Sequence, residues 1–182
     1  MKKLVTVLGS SRGESLSARV AQRVMEAAAE NGYETKVYYP GLMSIKGCLG
    51  CGACKRADTD CVIADDMQAY FKDLHTCDAL LVAAPNYYGQ VAGHMITFLN
   101  RHYCLLGPGR TLRLKPGIRL AGIFAQGTPA SVPVYQPGYD WYMECFRQLG
   151  MESVGSIIIG SGSDLTQDGD VMKRAYEIGR AL

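Results

Sequence analysis

Leu4-Val5-Thr6-Val7-Leu8-Gly9-Ser10-Ser11-Arg12-Gly13-Glu14-Ser15-Leu16-Ser17 joins an apolar, strand-like run to a helix-like run that begins near Leu16, and the loop between them decides the fold. Its serines supply hydroxyl groups and Arg12 a fixed positive charge. Glycine lets the backbone turn tightly, and the next helix begins with unpaired N–H groups and a favourable dipole. These are the parts of an anion cradle suited to a terminal phosphate, although a Ser-rich helix cap without a ligand uses the same residues. Two other phosphate loops that follow a first strand are excluded. The Lys-Ser/Thr ending of a triphosphate loop and the three-glycine dinucleotide fingerprint are both absent. The second strand, Thr35-Lys36-Val37-Tyr38-Tyr39-Pro40, also carries no acidic residue where a dinucleotide-binding domain places its ribose ligand. A monophosphate fits best.

Working outward, Val20, Val24, Ala27 and Ala28 recur at helical spacing between Leu16 and Asn31, and Asn31-Gly32 is a stop signal. A strand over 34–39 follows. Asp65-Asp66 opens a helix through about Leu74, its carboxylates serving the helix N-terminus rather than acid–base catalysis. Ala79-Leu80-Leu81-Val82-Ala83-Ala84, bounded by Asp78 and Pro85, suits a central strand buried on both faces. Pro85-Asn86-Tyr87-Tyr88-Gly89 ends it, and a helix over 93–105 comes next. A strand over 118–126 leads into the loop Gln126-Gly127-Thr128-Pro129, and the Pro- and Tyr-rich stretch Ser131 to Tyr139 is expected to cover something. A helix carrying Trp141, Cys145, Phe146 and Leu149, a strand over 154–160 and a last helix over 170–182 complete the chain. Five strands alternating with helices predict a doubly wound α/β fold: a five-stranded parallel sheet of order 2-1-3-4-5, helices on both faces, in a single domain spanning 1–182. Ligands of such sheets bind beyond the C-terminal strand ends at the switch point, where the loops after strands one, three and four converge.

With 182 residues the chain can bury roughly 70% of its unfolded surface without help from disulfides. No apolar run has the length of a membrane span, and Met1-Lys2-Lys3 reads as the start of the first strand rather than of an export signal. A net charge of +2 is too mild for nucleic-acid binding. Arg110, Arg113, Lys115 and Arg119 read as a solvated lead-in to a strand. Seven cysteines, an odd number, argue for reduced thiols and a cytoplasmic location. His75, His94 and His102 have no metal-ligand spacing, and His75 and His102 read as surface residues.

Cys48, Cys51, Cys54 and Cys61 are spaced C-x2-C-x2-C-x6-C, too densely for chance in a reduced protein. Gly47, Gly50 and Gly52 let this segment wrap tightly. Four thiolates satisfy either a [4Fe–4S] cluster or tetrahedral zinc, and a loop of free or oxidised thiols is the third reading. Zinc sites more often split into two separated pairs, and no proline follows Cys61 as in ferredoxins.

Taken together, Gly9-Ser10-Ser11-Arg12 with Ser15-Leu16-Ser17, and Pro85-Asn86-Tyr87-Tyr88-Gly89, resemble the phosphate and flavin loops of the NADPH-dependent FMN reductase family of flavodoxin-like proteins. The cysteine run resembles the cluster motif of that family's iron–sulfur flavoprotein branch. Leu16, Ile96 and Asn100 depart from the Asn, Lys and Asp often found there. The resemblance implies that Ser10, Arg12, Ser15, Leu16 and Ser17 hold the FMN phosphate. It further implies that Pro85, Asn86, Tyr87, Tyr88 and Gly89 hold the isoalloxazine ring, with Gln126 and Gly127 approaching from the other side. The cofactor would carry the redox chemistry, so no catalytic side chain is expected. The implied activity is electron transfer from NAD(P)H through FMN to a small acceptor such as a quinone or flavin, in a homo-oligomer that engages neither nucleic acid nor membrane. A flavodoxin-like carrier serving a redox protein partner is the alternative, and a ligand-free interaction domain the third. The mild positive charge suits steering of anionic nicotinamide cofactors and favours the first.

Overall fold

The computed structural model describes all of residues 1–182. Five parallel strands, β1 (Lys2–Leu8), β2 (Tyr33–Tyr38), β3 (Ala79–Tyr87), β5 (Arg119–Ala125) and β6 (Glu152–Ile159), lie in the order β2-β1-β3-β5-β6. This is the expected doubly wound order, with one addition. A sixth strand, β4 (Gln90–Val91), folds back antiparallel on the end of β3, pairing Asn86 with Val91 and Tyr87 with Gln90. Tyr88 and Gly89 turn the corner with φ of 55° and 86°, the two positive values that a two-residue hairpin requires. A strand of two residues has no periodicity to detect, so the sequence pattern passed over it.

β3 shows why the sheet is buried on both sides. Leu80, Val82 and Ala84 face one core cluster, beneath α3 (Met67–Thr76), α4 (Gly93–Arg101) and α5 (Gln136–Arg147). Ala79, Leu81 and Ala83 face the other, beneath α1 (Leu16–Glu30) and α6 (Asp170–Ala181). An uninterrupted apolar run is what a strand with two covered faces needs. On α1, Val20, Val24, Ala27 and Ala28 are fully buried as their spacing implies, each valine contributing about 1.5–3 kcal/mol of burial.

Several boundaries differ from the sequence pattern. The helix expected over 93–105 is α-helical only to Arg101 and tightens into a 3-10 turn at His102–Leu105. A four-residue helix, α2 (Ala53–Arg56), forms inside the cysteine segment. The Pro- and Tyr-rich stretch is part of the fold: Pro133–Tyr135 makes a 3-10 turn, α5 starts at Gln136, and Tyr139 is buried against Phe124, ring centroids 4.5 Å apart and nearly parallel. His102 is a core residue, 3% exposed, and not a surface one. Arg113 likewise turns inward, whereas Lys115 and Arg119 make the exposed surface pairs with Asp78 and Glu152. No helix is long and apolar enough to cross a membrane.

Candidate functional site

The loop after β1 is shaped by its own side chains. Gly9 N–H donates to Ala83 O on β3 at 2.7 Å, and Arg12 N–H to Ser10 Oγ at 3.2 Å. Ser15 caps α1, its Oγ accepting from Ala18 N–H at 3.2 Å while lying 3.3 Å from Ser17 Oγ. No acidic residue occupies the first turn of α1. The N–H groups of Leu16 and Ser17 therefore stay uncommitted at the positive end of a 15-residue helix, the arrangement that binds an anion. His94, at the start of α4, fixes this loop from the side: its Nε2 lies 2.6 Å from Gly9 O and so carries the proton.

The other two loops meet this one. Arg12, Ser15, Leu16 and Ser17, then Pro85, Asn86 and Tyr87, then Ala125, Gln126 and Gly127 line one cavity of about 280 Å³ beyond the C-terminal strand ends. Ala125 is the lining residue that sequence reasoning missed; as the last residue of β5 it carries no chemical signal. Ser10 is buried and stands behind the cavity wall, supporting Arg12. Tyr88 and Gly89 form the hairpin tip, and the Tyr88 side chain is fully exposed. Asn86 Oδ1 accepts from Gly89 N–H at 3.2 Å, so this side chain rigidifies the hairpin.

Gln126 acts through its contacts with the fold. Its Nε2 donates to Thr128 Oγ1, Pro129 O and Val132 O at 3.0, 2.9 and 3.3 Å, and its Oε1 accepts from the buried Tyr139 hydroxyl at 3.1 Å. One amide thus pins the whole 126–132 loop over the end of β6. Gly160 allows it: a Cβ there would come within 2.2 Å of Thr128 O and Ala130 N. A larger groove, about 620 Å³, runs along the far flank of α1 past Arg19, Arg23 and Met172. Its arginines are engaged with Leu165 O and Glu26, and although it reaches Leu8, Gly13 and Glu14 it touches neither the hairpin after β3 nor the 126–132 loop, which makes the smaller cavity the better site.

The cysteine segment lies between β2 and α3. All seven cysteines are free thiols, and Cys48, Cys51, Cys54 and Cys61 line a second small cavity of about 20 Å³, with Cys48 and Cys51 exposed. Gly50 and Gly52 take left-handed φ of 61° and 68° to wrap the chain around it. No three His, Cys, Asp or Glu side chains are arranged as a metal-holding group. Burial pushes the Cys77 and Cys104 thiols up to about 12, and raises Cys145 as well, which leaves these three as inert packing residues.

Two arginines brace this segment. Arg101 is 1% exposed and forms a buried ion pair with Asp65, while donating to Lys46 O at 2.8 Å. Burial disfavours its charge, but hydrogen bonding to Asp65, with a smaller contribution from the nearby Cys61, outweighs this and raises its pKa. Arg113 donates to Cys54 O and Cys104 O at 2.8 and 2.7 Å, to Thr59 O, and to Asp58 at 2.6 Å. Neither role was expected. Arg101 had a detectable signal: it stands three residues after Phe98, on the stripe that α4 buries, where a cation needs a partner.

The model of the NADPH-dependent FMN reductase family matches residues 2–139. An iron-sulfur flavoprotein of Archaeoglobus fulgidus is 30% identical over 181 residues, spanning 99% of this chain and 78% of that one. One of Methanosarcina thermophila is 27% identical over 161 residues, 88% and 78% of the two chains. Among solved structures, an NAD(P)H:quinone oxidoreductase from Methanothermobacter marburgensis superposes with a TM-score of 0.75 over 98% of this chain and 94% of its own, at 13% identity, which supports the flavodoxin-like fold. On the extent of these matches, the chain belongs to the NADPH-dependent FMN reductase family and is an FMN-dependent oxidoreductase related to the iron-sulfur flavoproteins.

Proposed function

We propose that the 280 Å³ cavity is the FMN site, and that the protein takes electrons from NAD(P)H and passes them to a small acceptor such as a quinone or free flavin. The observation that carries this reading is the convergence of an anion-binding helix start, a proline- and tyrosine-bearing hairpin and the 126–132 loop on one cavity. FMN bound there supplies hydride and electron transfer. The Leu16 and Ser17 N–H groups, the Ser15 and Ser17 hydroxyls and Arg12 hold the phosphate. Pro85, Asn86 and Tyr87 flank one edge of the ring, and the Gln126–Gly127 backbone lies on the opposite side, held by the Gln126 amide. Half-exposed Tyr87 and exposed Tyr88 offer aromatic surface at the open face, where donor and acceptor would enter in turn. Titration of flavin-free protein with FMN, followed by anaerobic mixing with NADH and NADPH, tests the reading. Saturable binding and prompt bleaching of the flavin are expected. A flavin left oxidised for minutes by both donors would favour the carrier alternative.

A [4Fe–4S] cluster in the cysteine segment is the companion reading, favoured by the four cysteines that share one cavity and by the name borne by the relatives. The donor types suit it, four thiols with left-handed glycines between them and Cys48 and Cys51 at the surface, but the four are not gathered into a metal-holding group as they stand. At about 20 Å³ the cavity is smaller than a cubane, so those two exposed cysteines must swing outward to hold one. A dimer that brings this segment near a second flavin site would suit such a centre. Iron and sulfide analysis of protein purified without oxygen tests it, about four of each per chain being the supporting result.

A further inference from the structure

The hairpin after β3 and the 126–132 loop both wall the proposed flavin cavity, and the β3–β5 ladder that joins them ends at Pro85 and Ala125. Beyond that point side chains must set the distance between them. They meet at Tyr139, on α5, which is 2% exposed with its ring stacked on Phe124. Its hydroxyl donates to Gln126 Oε1 at 3.1 Å, and Gln126 Nε2 carries the chain on to Thr128, Pro129 and Val132. Asn86 comes from the hairpin side. Its Oδ1 accepts from Gly89 N–H, while its Nδ2 is buried and has no full hydrogen bond. Burial raises the Tyr139 pKa and the Asn86 amide offsets part of that rise, which places amide and phenol side by side. A phenol that donates to Gln126 can still accept through its oxygen lone pairs. α5 also packs directly on the hairpin: a Cβ on Gly138 would lie 3.7 Å from Gly89 O, and one on Gly89 4.0 Å from the Tyr135 ring. Tyr139 itself is not among the residues that line the cavity.

We propose that Tyr139 is a positioning residue of the flavin site: its hydroxyl is the node through which Asn86 and Gln126, and with them the two ring-holding loops, are kept at one separation. The inference rests on the reading of this cavity as the FMN site and deepens it. Because these loops flank the ring and not the phosphate, the hydroxyl acts on the isoalloxazine and leaves the phosphate to Arg12 and the start of α1.

The test titrates flavin-free protein with FMN and with riboflavin, which has the same ring and no phosphate. Y139F keeps the Phe124 stack and removes only the hydroxyl. Y142F is the control: Tyr142 is as deeply buried on the same helix, and its hydroxyl donates to Met95 O at 3.2 Å, away from both loops. Urea titration confirms that each variant is folded. Expected for Y139F are binding of both flavins weaker by about tenfold, the size of one buried hydrogen bond, and a shifted visible absorption band of the bound flavin. Y142F should leave affinity and spectrum unchanged at a similar loss of stability. A double-mutant cycle of N86A with Y139F reads the link itself. N86A should cost less in the Y139F background, because its Gly89 contact is lost in both backgrounds and its Tyr139 contact in only one. Affinities that fall equally in Y139F and Y142F, a Y139F loss confined to FMN, or strict additivity of N86A with Y139F overturn the proposal. Wild-type protein that binds neither flavin overturns the FMN reading itself, and this inference with it.

Discussion

Acidification should destabilise this protein well before its carboxylates protonate, and His102 should be the cause. The ring is buried among Tyr70, Phe71, Phe98 and Phe146. Its Nδ1 lies 3.0 Å from Phe98 O and its Nε2 2.8 Å from the Tyr70 hydroxyl, so the neutral form with the proton on Nδ1 satisfies every partner. Burial, with a smaller contribution from the Arg101 charge, lowers its pKa to about 4 in spite of hydrogen bonds that favour protonation. Above pH 6.5 the imidazole is neutral in both folded and unfolded chains, and the stabilising effect is fully present. As pH falls from there towards 4, the unfolded chain takes up a proton that the folded one refuses, so stability drops with a slope approaching 1.4 kcal/mol per pH unit. The loss is about 2 kcal/mol between pH 7 and pH 5 and about 3 kcal/mol by pH 4. Asp78, held below the usual carboxylate range by Lys115, and Asp65, where hydrogen bonds from Arg101 and the backbone outweigh burial, act only below this window. Urea unfolding at pH 7, 6 and 5, with FMN at one fixed concentration, measures the slope. His102→Gln is the control: its amide can serve both hydrogen-bond partners but cannot take a proton. The variant should lose its excess pH dependence. Curves for wild type and variant that stay parallel within about 0.5 kcal/mol from pH 7 to pH 5 would refute the reasoning.

Arg12→Ala should weaken FMN about tenfold, near 1.5 kcal/mol, the low end for a charged hydrogen bond because Arg12 is exposed; the deficit should shrink as salt rises, and an affinity unchanged at low salt would dismiss Arg12 as a phosphate ligand. Gly160→Ala puts a methyl group against the backbone of Thr128 and Ala130, so it should cost about 1–3 kcal/mol of stability and raise the FMN dissociation constant by moving Gln126 and Gly127; equal melting and binding would show that the loop yields freely. Tyr139→Phe strips Gln126 Oε1 of its buried donor and should destabilise by about 1–3 kcal/mol, read by urea titration, with the Phe124 stacking contact left intact.

The sheet order and the meeting of three loops were legible in sequence because each depends on local chemistry: a doubly apolar run, a serine-rich helix start, a proline that ends a strand. The braces were not, since they join residues far apart in the chain. Arg113 reaches Cys54, Asp58 and Thr59 across more than 50 positions, and nothing beside it in sequence distinguishes it from solvated Lys115. His102 was misread for a related reason. It continues the buried stripe Met95, Phe98, Leu99 at ordinary helical spacing, but what makes burial tolerable for a polar ring, the Tyr70 hydroxyl, lies 32 positions away. Gln126, by contrast, lines the cavity, but its side chain is committed to shaping the loop.

α4 touches both candidate centres. At its start, His94 holds the phosphate loop through Gly9; at its end, Arg101 closes the cysteine segment. The helix is a rigid rod of nine residues, and its two ends stand about 12 Å apart along the axis. A rod carries displacement without absorbing it, so a shift at one end is felt at the other, and any change in affinity that one end causes at the other is returned in equal measure. One short helix thus ties the loop at the switch point to the base of the cysteine segment, two regions that lie far apart in the chain.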